Sequence, residues 1–279
     1  MAESAGSRRA LGPGGAPRSR GPVGVGAVLV LALAVVSVLS FPSIGAAGPS
    51  ADPVLRAWVP TPDGSDGYSI VGGRDSVTVQ ANPGNRGGNL RTVIWGEDAP
   101  ELRDTTECAT WDRASSDSAQ EGMAVRIASL PDGEPTAVTV TKNVYAGAPW
   151  LFNVHVWRGP GLGRQIGEFD LHSVFRDTRA GRVVRPLPWR MCVRTRGDRL
   201  DLLVWPLAGP APRWGDPRYG GTLRLPPSVA PRGASGWFAG HLGPGGSVAY
   251  TDLHGVLPSG SDSDRAAVGA GVGAVVVTG

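Results

Sequence analysis

Several residue types are scarce in this chain of 279 residues: it has two cysteines, three methionines, four histidines and a single lysine, Lys142. Two cysteines with no histidine pair at matching spacing do not make a zinc site. No glycine-x-serine-x-glycine elbow occurs, so an elbow-type nucleophilic serine is not indicated. Beyond the first 47 residues no stretch carries an apolar stripe of helical period, and glycine (42) and proline (25) are abundant. Both residues break helix interiors, which excludes a helical bundle. Net charge is also scarce where it would matter. Residues 1–47 hold Arg8, Arg9, Arg18 and Arg20 against Glu3; taking these from the totals of 27 basic and 24 acidic residues leaves 23 of each. The remainder is neutral and carries no electrostatic footprint for nucleic acid.

What is present begins with one long apolar run. Val23–Phe41 has no charged residue, and its length reaches the roughly 18–20 residues that span a bilayer. Arginines precede it, so the amino terminus stays cytoplasmic and the rest of the chain lies outside. Pro42 ends the helix, and small residues follow near Ala47. Residues 1–47 read as a signal peptide or as an uncleaved membrane anchor. In an exported chain Cys108 and Cys192 form a disulfide, or else remain two buried thiols. A closed loop of that size stabilises the fold by roughly 4.5 kcal/mol in the chain-entropy model.

Residues 48–89 are rich in proline, glycine and aspartate and read as a linker with one or two early strands. From residue 90 to 257 the pattern has period two. "GMAVRIASL" places Met123, Val125 and Ile127 on one side and Ala124 and Arg126 on the other. "PTAVTVTKNV" separates Val138 and Val140 from Thr139 and Thr141, and "WLFNVHVW" sends Phe152, Val154 and Val156 inward. Gly197-Asp198 between "WRMCVRT" and "RLDLLVW" marks a tight hairpin. Short strands at this spacing give an all-β antiparallel sandwich or barrel. Residues 258–279 are a low-complexity tail in which "AVVVT" is the one candidate edge strand.

The stretch "PWRMCVRTRGDRLDLLVWP", then "PRW", then "GWFAGHLGPGGSVAYTDL", resembles the closing half of concanavalin A-like lectin/glucanase domains, of the kind found in exported actinobacterial proteins. Trp189, Gly197, Trp205, Trp214, Gly236, Trp237 and Asp252-Leu253 carry the resemblance, and "EGMAVRI" looks like an early strand of the same domains. The resemblance spans residues 90–255 and implies a jelly-roll β-sandwich, preceded here by the single N-terminal helix. Fold does not fix function. The laminarinase-type glucanases of this fold carry glutamate-x-aspartate-x-glutamate on one strand. "EFDLH" matches the first two carboxylates as Glu168 and Asp170, with His172 where the acid/base stands. By resemblance, Glu168, Asp170 and His172 are the catalytic candidates for a polysaccharide hydrolase or lyase.

The residues themselves point to a surface rather than a mechanism. Period two puts Glu168, Asp170 and His172 on one face of a strand, and Asn153, His155 and Trp157 on one face of the preceding strand. Paired, the two rows place an aromatic plate beside carboxylates, a surface suited to sugars, whose C–H faces stack on tryptophan and whose hydroxyls bond Asn, Asp and His. The expected ligand-binding set is therefore Asn153, His155, Trp157, Glu168 and Asp170, and the expected partner a glycan or cell-envelope polymer. An anionic polymer has a second possible seat at Arg176, Arg179, Arg182 and Arg185. No cofactor is expected, although "PDGSDG" and "SGSDSD" offer oxygens to calcium without completing a loop. Three function classes follow: an exported glycan-binding module, a glycan-cleaving enzyme, and a structural envelope protein with no small ligand.

Overall fold

A computed structural model describes residues 54–61, 67–73, 75–85, 90–116, 118–144, 148–161, 163–176, 184–256 and 275–277. The leader over 1–47 and the calcium-directed stretches at 62–66 and 259–264 lie outside these residues. No helix among the described residues is long and apolar enough to cross a membrane.

The described chain is strand after strand. In order these are β1 (Leu55–Trp58), β2 (Tyr68–Gly73), β3 (Ser76–Ala81), β4 (Arg91–Gly96), β5 (Thr105–Ala114), β6 (Gln120–Ser129), β7 (Pro135–Lys142), β8 (Leu151–Arg158) and β9 (Arg164–Asp170). A single helical turn, α1 (His172–Phe175), follows. Then come β10 (Trp189–Arg196), β11 (Arg199–Pro206), β12 (Gly220–Arg224), β13 (Ala234–Gly240), β14 (Ser247–Val256) and β15 (Val275–Val277). Three strands, not one or two, fall within 55–81, and all are built into the sheets. The tail contributes β15, which pairs with β2.

The strands form two antiparallel sheets, ordered β1-β4-β13-β6-β7-β8-β9 and β12-β11-β10-β5-β14-β3-β2-β15. Their facing sides share one core that includes Ile94, Met123, Val138, Val140, Phe152 and Val154 from the first sheet. Trp111, Trp189, Val193, Leu202, Val204 and Tyr250 come from the second. Trp111, Phe152, Phe175 and Trp189 form an aromatic knot at its centre, with Phe175 and Trp189 centroids 4.5 Å apart. The fold is thus a two-layer β-sandwich, held by burial of both inner faces.

The alternation holds in β7, with Val138 and Val140 inward and Thr139 and Thr141 outward, and in β8 for Phe152 and Val154. It fails in β6. Pairing with β7 shifts register between Val125 and Ala128, and Arg126 adopts φ 56°, in the left-handed region. This bulge moves Ile127 to the outer face with Ala124 and sends Arg126 inward, the reverse of the period-two expectation. Gly197-Asp198 makes the expected hairpin turn, with Arg196 facing Arg199. Cys108 and Cys192 are directly opposite in the β5–β10 ladder and form a disulfide.

Candidate functional site

β8 and β9 do pair, and the two polar rows are neighbours: Asn153 faces Glu168 and Leu151 faces Asp170. Their properties differ from the expectation in three ways. First, the Glu168 row ends at Asp170. Asp170 Oδ1 accepts the backbone N–H of His172 at 2.9 Å and lies 3.0 Å from its Nδ1, so His172 opens α1 instead of continuing the strand. This is the Asx-turn habit of a short carboxylate, which competes with the ladder. Second, the residue across from Glu168 is an amide, and Asp170 projects from the same edge strand. Glu168 and Asp170 stand two residues apart on β9, and the structure places no third acid at the next position of that row, where His172 opens α1. Third, Trp157 is only 4% exposed, so it is a wall and not an open stacking plate.

Trp157 is buried because the outer face of the seven-stranded sheet carries its own apolar cluster. Val93, Ala124, Ile127, Ala137, Trp157, Ala234 and Phe238 meet there, with Trp58 and Trp95 half-buried against them. Trp157 and Phe238 stack with centroids 6.4 Å apart. The indole N–H of Trp157 donates to Thr139 Oγ1 at 2.8 Å. The β8–β9 loop folds back over the indole, with the Gly161 N–H donating to the Pro60 carbonyl at 2.8 Å. Gly163 lies against the ring so closely that a Cβ there would be 2.8 Å from three of its carbons.

Beside this cluster is a pit of about 200 Å³, lined by Arg91, Gln120, Thr141, His155, Trp157, Gly163 and Phe238. Its polar rim is fixed. Arg91 Nη2 is 2.9 Å from His241 Nε2, Arg91 Nη1 donates to Thr61 Oγ1 at 3.3 Å, and its guanidinium lies 5.7 Å from the Trp157 ring centre. Gln120 Nε2 donates to Thr141 Oγ1 and to the Lys142 carbonyl, each at 3.2 Å. Gln120 Oε1 is buried with no hydrogen-bond partner among the described residues. Burial, and then the nearby Arg91, holds the His155 imidazole below its ordinary range. At neutral pH it is therefore uncharged and offers one N–H and one lone pair. Tyr250 pins the floor from the opposite sheet: its hydroxyl donates to the Phe238 carbonyl and accepts the Gly122 N–H. The pit can take a small, uncharged, hydroxyl-bearing group: apolar walls, one waiting acceptor, and donors around the mouth.

Of the expected site residues, His155 and Trp157 line the pit, while Asn153, Glu168 and Asp170 lie along the same sheet towards its β9 edge. Arg91, Gln120, Thr141 and Phe238 were not anticipated. They come from four other strands that only the sheet order brings together, and period two carried one signal for them: the outward set Thr139 and Thr141. A larger cleft, about 590 Å³, opens at one end of the sandwich beside Asp112, Arg113, Arg185 and Trp189. Lys142 and Glu121 form a buried ion pair at 3.1 Å on its wall. Arg185 there donates to the Val174 carbonyl, and Arg176 stacks on Trp150, so both are engaged in local structure; Arg179 and Arg182 lie outside the described residues. Among the described residues no three of His, Cys, Asp and Glu converge on a point where a metal could sit.

The class these observations define is a two-layer antiparallel β-sandwich with a covered outer face and a small polar pit. No protein-family profile matches the sequence. No curated protein matches it either. Among solved structures, the carbohydrate-binding module CBM66 from Bacillus subtilis overlaps 64% of this chain and 86% of its own, at 12% identity and a TM-score of 0.38. The exoplasmic/lumenal domain of VIP36 with Ca2+ and Man3GlcNAc overlaps 75% of this chain and 92% of its own, at 11% identity and a TM-score of 0.41. A Bacillus subtilis protein with a galectin-like fold overlaps 72% and 88%, at 10% identity and a TM-score of 0.38. Overlaps this low leave the architecture to be defined by the strand order itself.

Proposed function

We propose that this protein is an exported glycan-binding β-sandwich acting at the cell envelope, and that the pit on the outer face of the seven-stranded sheet is a single-sugar subsite. The observation that carries this reading is Gln120 Oε1, a buried acceptor without a donor, set beside the Trp157–Phe238 wall. Leaving such an atom unpaired costs about 1–3 kcal/mol, and one sugar hydroxyl would remove that cost. Trp157 and Phe238 give the pit an apolar wall beside that acceptor. A volume of about 200 Å³ is below the roughly 300–1,000 Å³ of drug-sized sites, which fits one ring and not a chain. The half-buried Trp58 and Trp95 on the same face, and Asn153 and Glu168 towards its β9 edge, extend the surface on which the rest of a glycan would lie. Export is supported by the disulfide and by the apolar run after the N-terminal arginines, and that run is also the proposed tether.

The test is glycan-array screening of the full chain, followed by titration of the best ligand against Gln120→Met and His155→Leu. The first variant keeps the volume and removes the acceptor together with the amide donor to Thr141 and Lys142; the second removes the neutral imidazole. Each is expected to weaken binding about tenfold at unchanged fold, the size of one lost buried hydrogen bond. An array with no ligand, or a ligand held equally by both variants, rejects the pit as the site.

A further inference from the structure

The two ends of the pit differ in hydrogen-bonding character. At one end is the acceptor. Gln120 Nε2 faces the Lys142 carbonyl, which can only accept, so the amide orientation is fixed and the buried unpartnered atom is the oxygen. Gly240 of β13 lies in the same rung, between Arg91 of β4 and Gln120 of β6. A Cβ there would stand 3.1 Å from Gln120 Oε1 and 3.2 Å from Phe238 Cε1. The oxygen and the Phe238 ring therefore both close on the space that a side chain at 240 would fill. At the other end are the donors. The Arg91 guanidinium lies 5.7 Å from the Trp157 ring centre, and the His155 ring lies 5.7 Å from the same indole. The Trp157 and Phe238 centroids that mark the two ends are 6.4 Å apart.

This polarity selects the group that fits. Among the described residues lining the pit none is acidic, and Arg91 brings a fixed positive charge. An ammonium group would meet Gln120 Oε1 but also the guanidinium. A carboxylate would meet the guanidinium but press a lone pair against Oε1. A neutral group avoids both conflicts. A hydroxyl carries its donor and its acceptor on one oxygen, so it serves one end of the pit at a time. A secondary amide carries its N–H and its carbonyl on opposite edges of one plane, so it serves both ends together. An acetyl amide adds a methyl group for the apolar wall between them.

We propose, building on the reading of the pit as a sugar subsite, that it takes the 2-acetamido group of an N-acetylated amino sugar. The amide N–H donates to Gln120 Oε1, the carbonyl accepts at the Arg91–His155 end, and the methyl group lies against Trp157 and Phe238. The acetamido arm enters first and its pyranose ring fills the mouth. An unacetylated sugar leaves one end of the pit unserved and its apolar wall uncovered.

The experiment is calorimetric titration of the full chain with β-1,4-linked tetramers of N-acetylglucosamine, glucosamine and glucose. The acetylated tetramer is expected to bind about tenfold or more tighter than the other two. Gln120→Met is expected to bring it down to the level of the glucose tetramer. Gly240→Ala, which keeps every atom of Gln120 but crowds Oε1, is expected to shrink the same preference. Arg199→Gln on the eight-stranded sheet is expected to keep it. Binding of an unacetylated glycan that depends on Gln120, with the acetylated tetramer no tighter, overturns this proposal and leaves the sugar subsite standing. A preference for the acetylated tetramer that survives both Gln120→Met and Gly240→Ala puts the acetamido group elsewhere and overturns it as well. No binding of any tetramer, with no ligand on the glycan array, overturns this proposal and the subsite together.

Discussion

Glu107 lies between the sheets, where Ser235 Oγ donates to its Oε2 at 3.3 Å. Burial pushes its pKa up from 4.5 to about 8, against smaller opposing effects of Ser235 and Arg190. The folded protein therefore holds a proton on Glu107 that the unfolded chain releases above pH 4.5. Between about pH 4.5 and 8 the native state binds more protons, so this residue lowers stability as pH rises. Denaturant titrations at pH 5 and pH 8 are expected to show the native chain weaker at pH 8 by up to a few kcal/mol, and Glu107→Gln to flatten that difference. A native chain equally stable at both pH values, with the variant unchanged, would mean that Glu107 is charged and solvated. The surrounding sequence, "TTECATW", shows why alternation cannot reveal this: an acidic residue stands where the pattern calls for an inward apolar one, and only the packed Ser235 explains it.

At the scale of elements, the β8–β9 hairpin shows how one loop decides what a strand can do. Its register shifts between Val154 and His155, which sets His155 against Gln165 and brings the loop across Trp157. The indole is sealed by Gly163, where even a methyl group has no room. Gly163→Ala must move either the loop or the ring. It is expected to cost about 1–3 kcal/mol of stability as overpacking does, and to change tryptophan fluorescence by opening the wall of the pit. Unchanged melting and emission would show that the loop yields freely. Legibility follows the same line. Strand faces in β7, β10 and β11 could be read from residues two apart because those strands are regular. Arg126 and Asp170 could not be read that way, since a bulge and a side-chain cap leave the period without altering composition. Trp58 is hidden for a related reason: "LRAW" is four residues long, too short to show a period within a proline-rich stretch.

For the whole molecule the decisive fact is that neighbours in space are distant in sequence. β13 sits between β4 and β6, and β10 pairs with β5, so neither sheet closes until the last third of the chain arrives. This is why the sandwich class could be inferred from strand spacing while the pit, assembled from β4, β6, β7, β8 and β13, could not. The Cys108–Cys192 bond joins two central strands of the eight-stranded sheet across 84 positions. Because those strands are already hydrogen-bonded, the bond adds little to the native ladder; its effect is to shorten the unfolded chain's reach. The chain-entropy model gives roughly 4.5 kcal/mol for a loop of that length. At about 2–4 °C per kcal/mol for a domain of this size, reduction is expected to lower the melting temperature by roughly 10–15 °C. Cys108→Ala/Cys192→Ala is expected to reproduce that drop without reductant. Equal melting temperatures for oxidised and reduced chains would show that the β5–β10 ladder persists in the unfolded ensemble and already supplies the constraint.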